Sequence, residues 1–140
     1  MEKPRPSRDT VGGLVFFGRM LDKIRLHARG ALPADYNRGF GFDGRCVRFL
    51  RVDYGELAAK VLEGGADEEL LEWCYARGRR PDDEEIGIWN QFMAKRGWRD
   101  DSTPELEEMK GKAGLGGRGE IQTFFDFHDA DEGRLAAVPG

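Results

Sequence analysis

The side chains best suited to chemistry in this sequence are carboxylates, guanidinium groups and one amide. Sixteen of the 22 cationic residues are arginine, whose planar head binds carboxylate or phosphate through two hydrogen bonds. One hypothesis is therefore a small enzyme that acts on an anionic small molecule, and it requires its polar groups to converge in space. Its predicted site consists of Asp22, Arg25, Asp43, Arg45, Asn90, Arg99 and Asp126.

A second group of candidates surrounds the string KRGWRDD at residues 95–101, just after Trp89 and Asn90. Cations at a helix end are expected on structural grounds alone. An exposed Trp98 beside arginines would instead form a stacking and charge platform for a nucleotide or a protein partner. A Trp98 anchored in the core is the alternative. The binding residues predicted on these grounds are Asp22, Arg25, Asp43, Arg45, Trp89, Asn90, Arg96, Trp98, Arg99 and Asp126.

Three other motifs do not predict a cofactor, metal or catalytic site, because the residues around them do not fit one. The glycines of 114–119 spell G-x-G-x-x-G, but a helix is predicted before them where a dinucleotide fold needs a strand. The acidic run 129–132 opens like a calcium loop but lacks the later ligands. Cys74 falls on an apolar helix face, which is typical of an inert thiol. The sequence therefore predicts no cofactor and no metal, and it assigns no catalytic residue.

The charge of the chain is divided unevenly along its length. Residues 1–51 carry 11 basic and 5 acidic side chains, and residues 52–140 carry 11 basic and 21 acidic ones. The basic half either pairs with the acidic half or forms a face of its own, which would favour nucleic acid. A sequence pI of about 5.3 argues against nucleic acid.

The pattern of apolar residues predicts an all-α protein of about five to seven short helices. Val, Ile and Thr together make up about 9% of the chain, too few for a sheet-dominated fold. Thr10 is predicted to cap a first helix that runs to Gly30. Capping residues and glycine stops predict the further helices, which start at Asp43, start at Asp53, cover 67–77, run from the acidic residues 82–85 to Gly97, start at Ser102, and include Ile121 to His128.

We expect one domain, with an extended N-terminal arm over 1–9, a helical body over 10–134 and a flexible tail over 135–140. The two cysteines form no C-x-x-C pair, which is typical of a reduced, cytoplasmic location. No apolar run approaches the length of a membrane span. The sequence does not specify an oligomeric state.

Five strings carry a resemblance to a known family in one consistent order. They are VGGLVFFGRMLDKIRLHARGALP at 11–33, GFDGRCVRFLRVDY at 41–54, EELLEWC at 68–74, IWNQFMAKRGWRDD at 88–101 and IQTFFDFHDADEGR at 121–134. The chain resembles a bacterial family catalogued as domain of unknown function 5069. That resemblance implies no activity, cofactor or catalytic residue.

The leading hypothesis is a binding or protein-interaction module whose ligand is a protein partner or an anionic small molecule. A small-molecule site is expected between the first helix and residues 95–101.

Overall fold

The computed structural model describes residues 2–134, and the predicted tail at 135–140 lies outside the described residues. Seven helices and one two-stranded hairpin make up the regular structure of this part of the chain, which confirms the predicted all-α class. In chain order the elements are β1 (Thr10–Val11), β2 (Leu14–Val15), α1 (Phe17–Ala28), α2 (Phe42–Leu50), α3 (Tyr54–Leu62), α4 (Asp67–Arg77), α5 (Asp83–Lys95), α6 (Thr103–Lys112) and α7 (Phe124–Asp131).

The prediction that a helix begins at Thr10 is wrong, because residues 10–15 form an antiparallel hairpin. Gly12 and Gly13 occupy its turn with φ angles of 55° and 80°, the left-handed conformations that a tight two-residue hairpin turn requires. A Cβ at Gly12 would also lie 2.6 Å from Leu71. Helix α1 starts only after Phe16, whose own φ is 75°.

The other helices begin close to their predicted capping residues. The Asp53 side chain accepts a hydrogen bond from the Glu56 backbone, and Asp82 with Glu85 forms a reciprocal capping box at α5. Asp43 does not cap α2, since Gly41 precedes that helix and Asp43 lies within its first turn. Its carboxylate accepts from the Gly39 backbone N–H instead, at 3.0 Å.

The helices surround a single main core. Helix α1 packs against α3, β2 against α5, and α5 against α7. The largest side chains withdrawn from water in this core include Phe16, Phe17, Met20, Met93 and Phe125. Burial of side chains of this size is the dominant favourable contribution to folding.

The N-terminal arm lies over the domain and is held there by ion pairs of Arg5 and Arg8. Arg5 binds Asp22 on α1 at 2.8 Å and Asp67 on α4 at 2.7 Å. Arg8 reaches Asp126 on α7. No helix in residues 2–134 is long and apolar enough to cross a membrane.

Candidate functional site

A cavity of about 230 Å³ opens where the N-terminal end of α2 meets α1, α6, α7 and the residue that follows α5. Its charged lining consists of five cations and one carboxylate, that of Glu105, and we call it the basic cavity. The five cations that line it are Arg19, Lys23, Arg45, Arg48 and Arg96.

Three of these cations have carboxylate partners. Arg19 forms a buried two-point ion pair with Glu132, at 2.8 and 2.6 Å. Arg96 lies 2.8 Å from Asp101 and 3.4 Å from Asp100. The charges of Arg19 and Arg96 are therefore compensated within the protein, and both residues form part of the cavity wall. A ligand would interact mainly with the cations that have no carboxylate partner.

The third partnered cation, Lys23, belongs to a buried pair with Asp43. Its Nζ lies 2.7 Å from Asp43 Oδ1 and donates to the Asn37 carbonyl at 2.8 Å. Burial lowers the pKa of Lys23 and raises that of Asp43, while the attraction between the two groups opposes both shifts. The ion pair joins α1 to the first turn of α2, and the hydrogen bond to Asn37 holds the loop before α2 against α1.

Arg45 and Arg48 have no carboxylate within ion-pair distance in residues 2–134. They are one helical turn apart on α2 and so lie on the same face. Burial lowers the pKa of Arg45, and the positive charges of Arg96 and Arg48 lower it further. Asp100 and Asp101 offset part of this repulsion, and an anion placed beside Arg45 and Arg48 would relieve more of it.

His128 contributes an imidazole to the cavity lining. Its Nδ1 lies 2.7 Å from the Oγ of Ser7. Ser7 belongs to the N-terminal arm and is itself fully buried. Burial lowers the pKa of His128 well below its usual value, and the charges of Arg19, Lys23 and Arg8 act in the same direction. The imidazole is therefore neutral at pH 7 and serves as a hydrogen-bonding group.

Aromatic rings form the apolar part of the cavity wall. The Phe42 ring meets Phe16 edge to face with centroids 5.6 Å apart, and Phe124 in the same manner at 5.5 Å. Phe40 also lines the cavity and is 61% exposed. The cavity thus offers both aromatic contact and positive charge to one ligand.

The structure divides the sequence-predicted residues among several places. Arg45 and Arg96 line the basic cavity, and Asp43 holds its Lys23. Asp22 and Arg25 instead belong to a surface ion-pair network with Asp67.

The remaining predicted residues have other partners. Asn90 accepts from the Val15 N–H at 3.0 Å and donates to the Gly13 carbonyl at 2.8 Å, and the Trp89 indole donates to the Val15 carbonyl, so both fasten the hairpin to α5. Asp126 pairs with Arg8 of the arm.

Trp98 is 45% exposed and lies outside the basic cavity, with the Arg99 guanidinium 5.2 Å from its ring centroid. The two form a cation–π pair at the surface. The seven residues of the enzyme hypothesis therefore do not converge on one site.

The predicted binding residues include neither the apolar lining of the cavity nor its other titratable residues, which are Arg19, Lys23, Arg48, Glu105 and His128. A signal was present for two of them, because Arg19 and Lys23 are four residues apart and share one face of α1. Which face of α1 meets α2 and α7 depends on tertiary packing that the spacing alone does not specify.

Groups that other chemistries would need are occupied elsewhere. Burial raises the pKa of the Cys74 thiol to about 12, which keeps it protonated. Within residues 2–134, no cluster of three or more His, Cys, Asp or Glu is arranged to hold a metal ion. The Lys110 ammonium donates to the Arg118 and Ile121 carbonyls and so braces the glycine-rich connector.

The comparison with protein families agrees with the resemblance noted in the sequence. No curated protein matches the chain. A family model described as domain of unknown function (DUF5069) matches residues 1–134, nearly the whole sequence. The chain therefore belongs to the DUF5069 family.

Proposed function

We propose that this protein is a binding module for a small anionic molecule, which it takes into the basic cavity. The observation that carries the proposal is the pair Arg45 and Arg48, which face the cavity without a carboxylate partner in residues 2–134. A guanidinium group without a carboxylate partner in the protein is well suited to bind a carboxylate or phosphate from solution.

The surroundings of these arginines support the same ligand chemistry. Gly41 and Phe42 line the cavity where α2 begins, so the positive end of the α2 dipole adds to the field that an anion would meet. The neutral His128 offers a hydrogen bond without adding charge. The aromatic walls favour a ligand with an apolar or planar body.

The size of the cavity restricts the ligand. A volume of about 230 Å³ is below the range of roughly 300–1,000 Å³ that is usual for drug-sized ligands. A small phosphate ester or aromatic carboxylate suits this space better than a dinucleotide. Of the nucleophilic groups that line the cavity, the Lys23 ammonium is paired with Asp43, and the Ser102 hydroxyl has no hydrogen bond to a base in residues 2–134. Binding is thus favoured over catalysis.

The test is a thermal-shift and calorimetric titration at low salt with phenyl phosphate and benzoate, and with benzyl alcohol as a neutral control. We expect the two anions to raise the melting temperature and benzyl alcohol to leave it unchanged. A ligand at 100 times its Kd adds about 2.7 kcal/mol to the free energy of unfolding.

The variant pair Arg45→Met and Arg48→Met should abolish the shift. Arg51→Met is the matched control, because Arg51 follows the same helix without lining the basic cavity. Equal binding by wild type and Arg45→Met, or no shift with either anion, would refute the proposal.

A further inference from the structure

Helix α5 presents an exposed stripe that nothing in the described chain covers. Six residues at helical spacing form it, and all six are exposed, whereas Trp89 and Met93 on the opposite side are buried. Ile88 is 62% exposed and Phe92 38%. We call it the α5 stripe, and its residues are Glu84, Gly87, Ile88, Gln91, Phe92 and Lys95.

The charges of the α5 stripe are arranged by sign. Glu84 lies at the N-terminal end and Lys95 at the C-terminal end, with the apolar side chains between them. Neither Glu84 nor Lys95 has an ion-pair partner in residues 2–134. Such a surface is complementary to itself when it is turned end for end.

We infer that the α5 stripe is a contact surface for a second copy of this chain, with the two α5 helices antiparallel about a twofold axis. An axis through the point between Trp89 and Asn90 places Glu84 opposite Lys95 of the second copy. The same operation places Gly87 opposite Phe92 and Ile88 opposite Gln91. Every stripe residue then meets another stripe residue, as an isologous interface requires.

Gly87 supplies an independent observation for the close approach of a second helix. It lies inside α5, where glycine costs roughly 0.5–1 kcal/mol relative to alanine. A Cβ at Gly87 would meet nothing within 4 Å, so no contact within the described chain accounts for the glycine. In the antiparallel pair it leaves room for the Phe92 ring of the second copy.

The Phe92 ring is already held in place for this contact. The guanidinium groups of Arg45 and Arg96 lie 4.9 and 5.4 Å from its centroid. Trp98, 45% exposed, adjoins the stripe and extends its apolar area. A helix of 13 residues spans only about 20 Å, so the pair belongs to the small, reversible class of interfaces.

The test measures molar mass against protein concentration by sedimentation equilibrium. We expect wild type to move from 15.8 kDa toward twice that mass as the concentration rises through the micromolar to millimolar range. Glu84→Lys alone and Lys95→Glu alone should each remain monomeric, because each places like charges opposite one another at both ends of the pair.

Mixing the two single variants supplies the decisive arm. In a heterodimer each lysine faces a glutamate again, so the mixture should regain the mass increase that neither variant shows alone. Circular dichroism checks that both variants remain folded. A wild type that stays monomeric throughout, or a mixture that stays monomeric while wild type dimerises, would overturn the inference.

Gly87→Leu separates association from folding. Leucine has a higher helix propensity than glycine, and its Cβ would meet nothing within 4 Å in the described chain, so the melting temperature of dilute protein should rise. The same side chain blocks the approach of Phe92, so the dimer should weaken at least tenfold. A variant that dimerises as well as wild type would contradict the proposed register. The inference does not depend on ligand binding in the basic cavity.

Discussion

At the scale of single residues, the surroundings of His128 strongly favour its neutral form. It is packed among Phe42, Phe125 and Phe127, and three cations act on it through space. Charging the ring would add a fourth positive charge beside Arg8 and the buried Arg19 and Lys23. The folded protein therefore keeps this imidazole neutral at a pH where an unfolded chain would begin to protonate it.

The pH dependence of stability follows from this pKa. Because the folded pKa is lower than the ordinary value of 6.5, the unfolded state binds the proton first on acidification. The free energy of unfolding should thus fall as the pH drops below about 6.5, by up to about 1.4 kcal/mol per pH unit.

Urea unfolding of wild type and His128→Gln at pH 7.5, 6.5 and 5.5 would measure this slope. The variant should lose most of the decline, because glutamine keeps a polar group and cannot be protonated in this range. Asp43, whose pKa is raised by burial, acts in the opposite direction in both proteins. An unchanged slope in the variant would assign the decline to other groups.

At the scale of elements, sequence reasoning succeeded where the controlling residues are local. Asp53 and Asp82 cap the helices that they were predicted to begin, since their hydrogen bonds reach only three residues along the chain. The hairpin at 10–15 was missed, although Gly12–Gly13 between apolar residues is a local hairpin signal, and the attachment of the hairpin to α5 depends on distant residues. Trp89 and Asn90, more than seventy positions away, supply the hydrogen bonds that hold it.

The connection between α4 and α5 depends on the absence of a side chain at Gly78. A Cβ there would lie 2.0 Å from the Leu50 carbonyl oxygen and 2.6 Å from that of Arg51. Both atoms are backbone at the end of α2, so neither can rotate away. The adjacent Arg79 N–H also donates to the Leu50 carbonyl at 3.0 Å, which fixes the approach.

Gly78→Ala should consequently lower the free energy of unfolding by more than about 3 kcal/mol, in the range of severe single substitutions. Chemical denaturation measures the loss. Gly111→Ala is the matched control, because a Cβ at this position in α6 meets nothing within 4 Å. The control should be neutral or more stable by up to about 1 kcal/mol. Equal effects of the two substitutions would contradict the packing at Gly78.

At the scale of the whole molecule, the basic N-terminal half pairs extensively with the acidic remainder. Arg5 binds Asp67, Arg8 binds Asp126 and Arg19 binds Glu132. The sequence left this pairing open against a free basic face. Much of the positive charge is neutralised inside the domain, and Arg45 and Arg48 are the cations of the basic cavity that keep no carboxylate partner in residues 2–134.

The position of the candidate site could be predicted more closely than the residues that line it. Sequence reasoning expected a ligand site between the first helix and residues 95–101, and the basic cavity includes α1 and Arg96. Arg48 and His128 were not predicted, because an arginine on an exposed helix face and a histidine on an apolar stripe are common structural features. Only the packing of α2 against α7 distinguishes them.

The arm should contribute strongly to stability because it connects elements from both ends of the chain. Deleting residues 1–8 removes the Arg5 pairs and uncovers the imidazole that Ser7 contacts. We expect the melting temperature of the deletion variant to fall by roughly 10 °C, equivalent to about 3 kcal/mol for a chain of this size.

Differential scanning calorimetry of the deletion variant and of Arg29→Gln would test this expectation. Arg29 forms only an exposed ion pair with Glu2, which should contribute little. A deletion no more harmful than Arg29→Gln would show that the arm rests on the surface without supporting it.

The contact between arm and α7 also has a consequence for biosynthesis. Ser7 leaves the ribosome well over a hundred residues before its partner His128, and the cavity wall needs Phe124 from the same late helix. A nascent or prematurely terminated chain can form the early helices but cannot close the cavity. Ligand binding in the proposed site would therefore require translation almost through α7, and fragments lacking that helix would leave the faces of α5 and α6 that pack against it exposed to proteolysis.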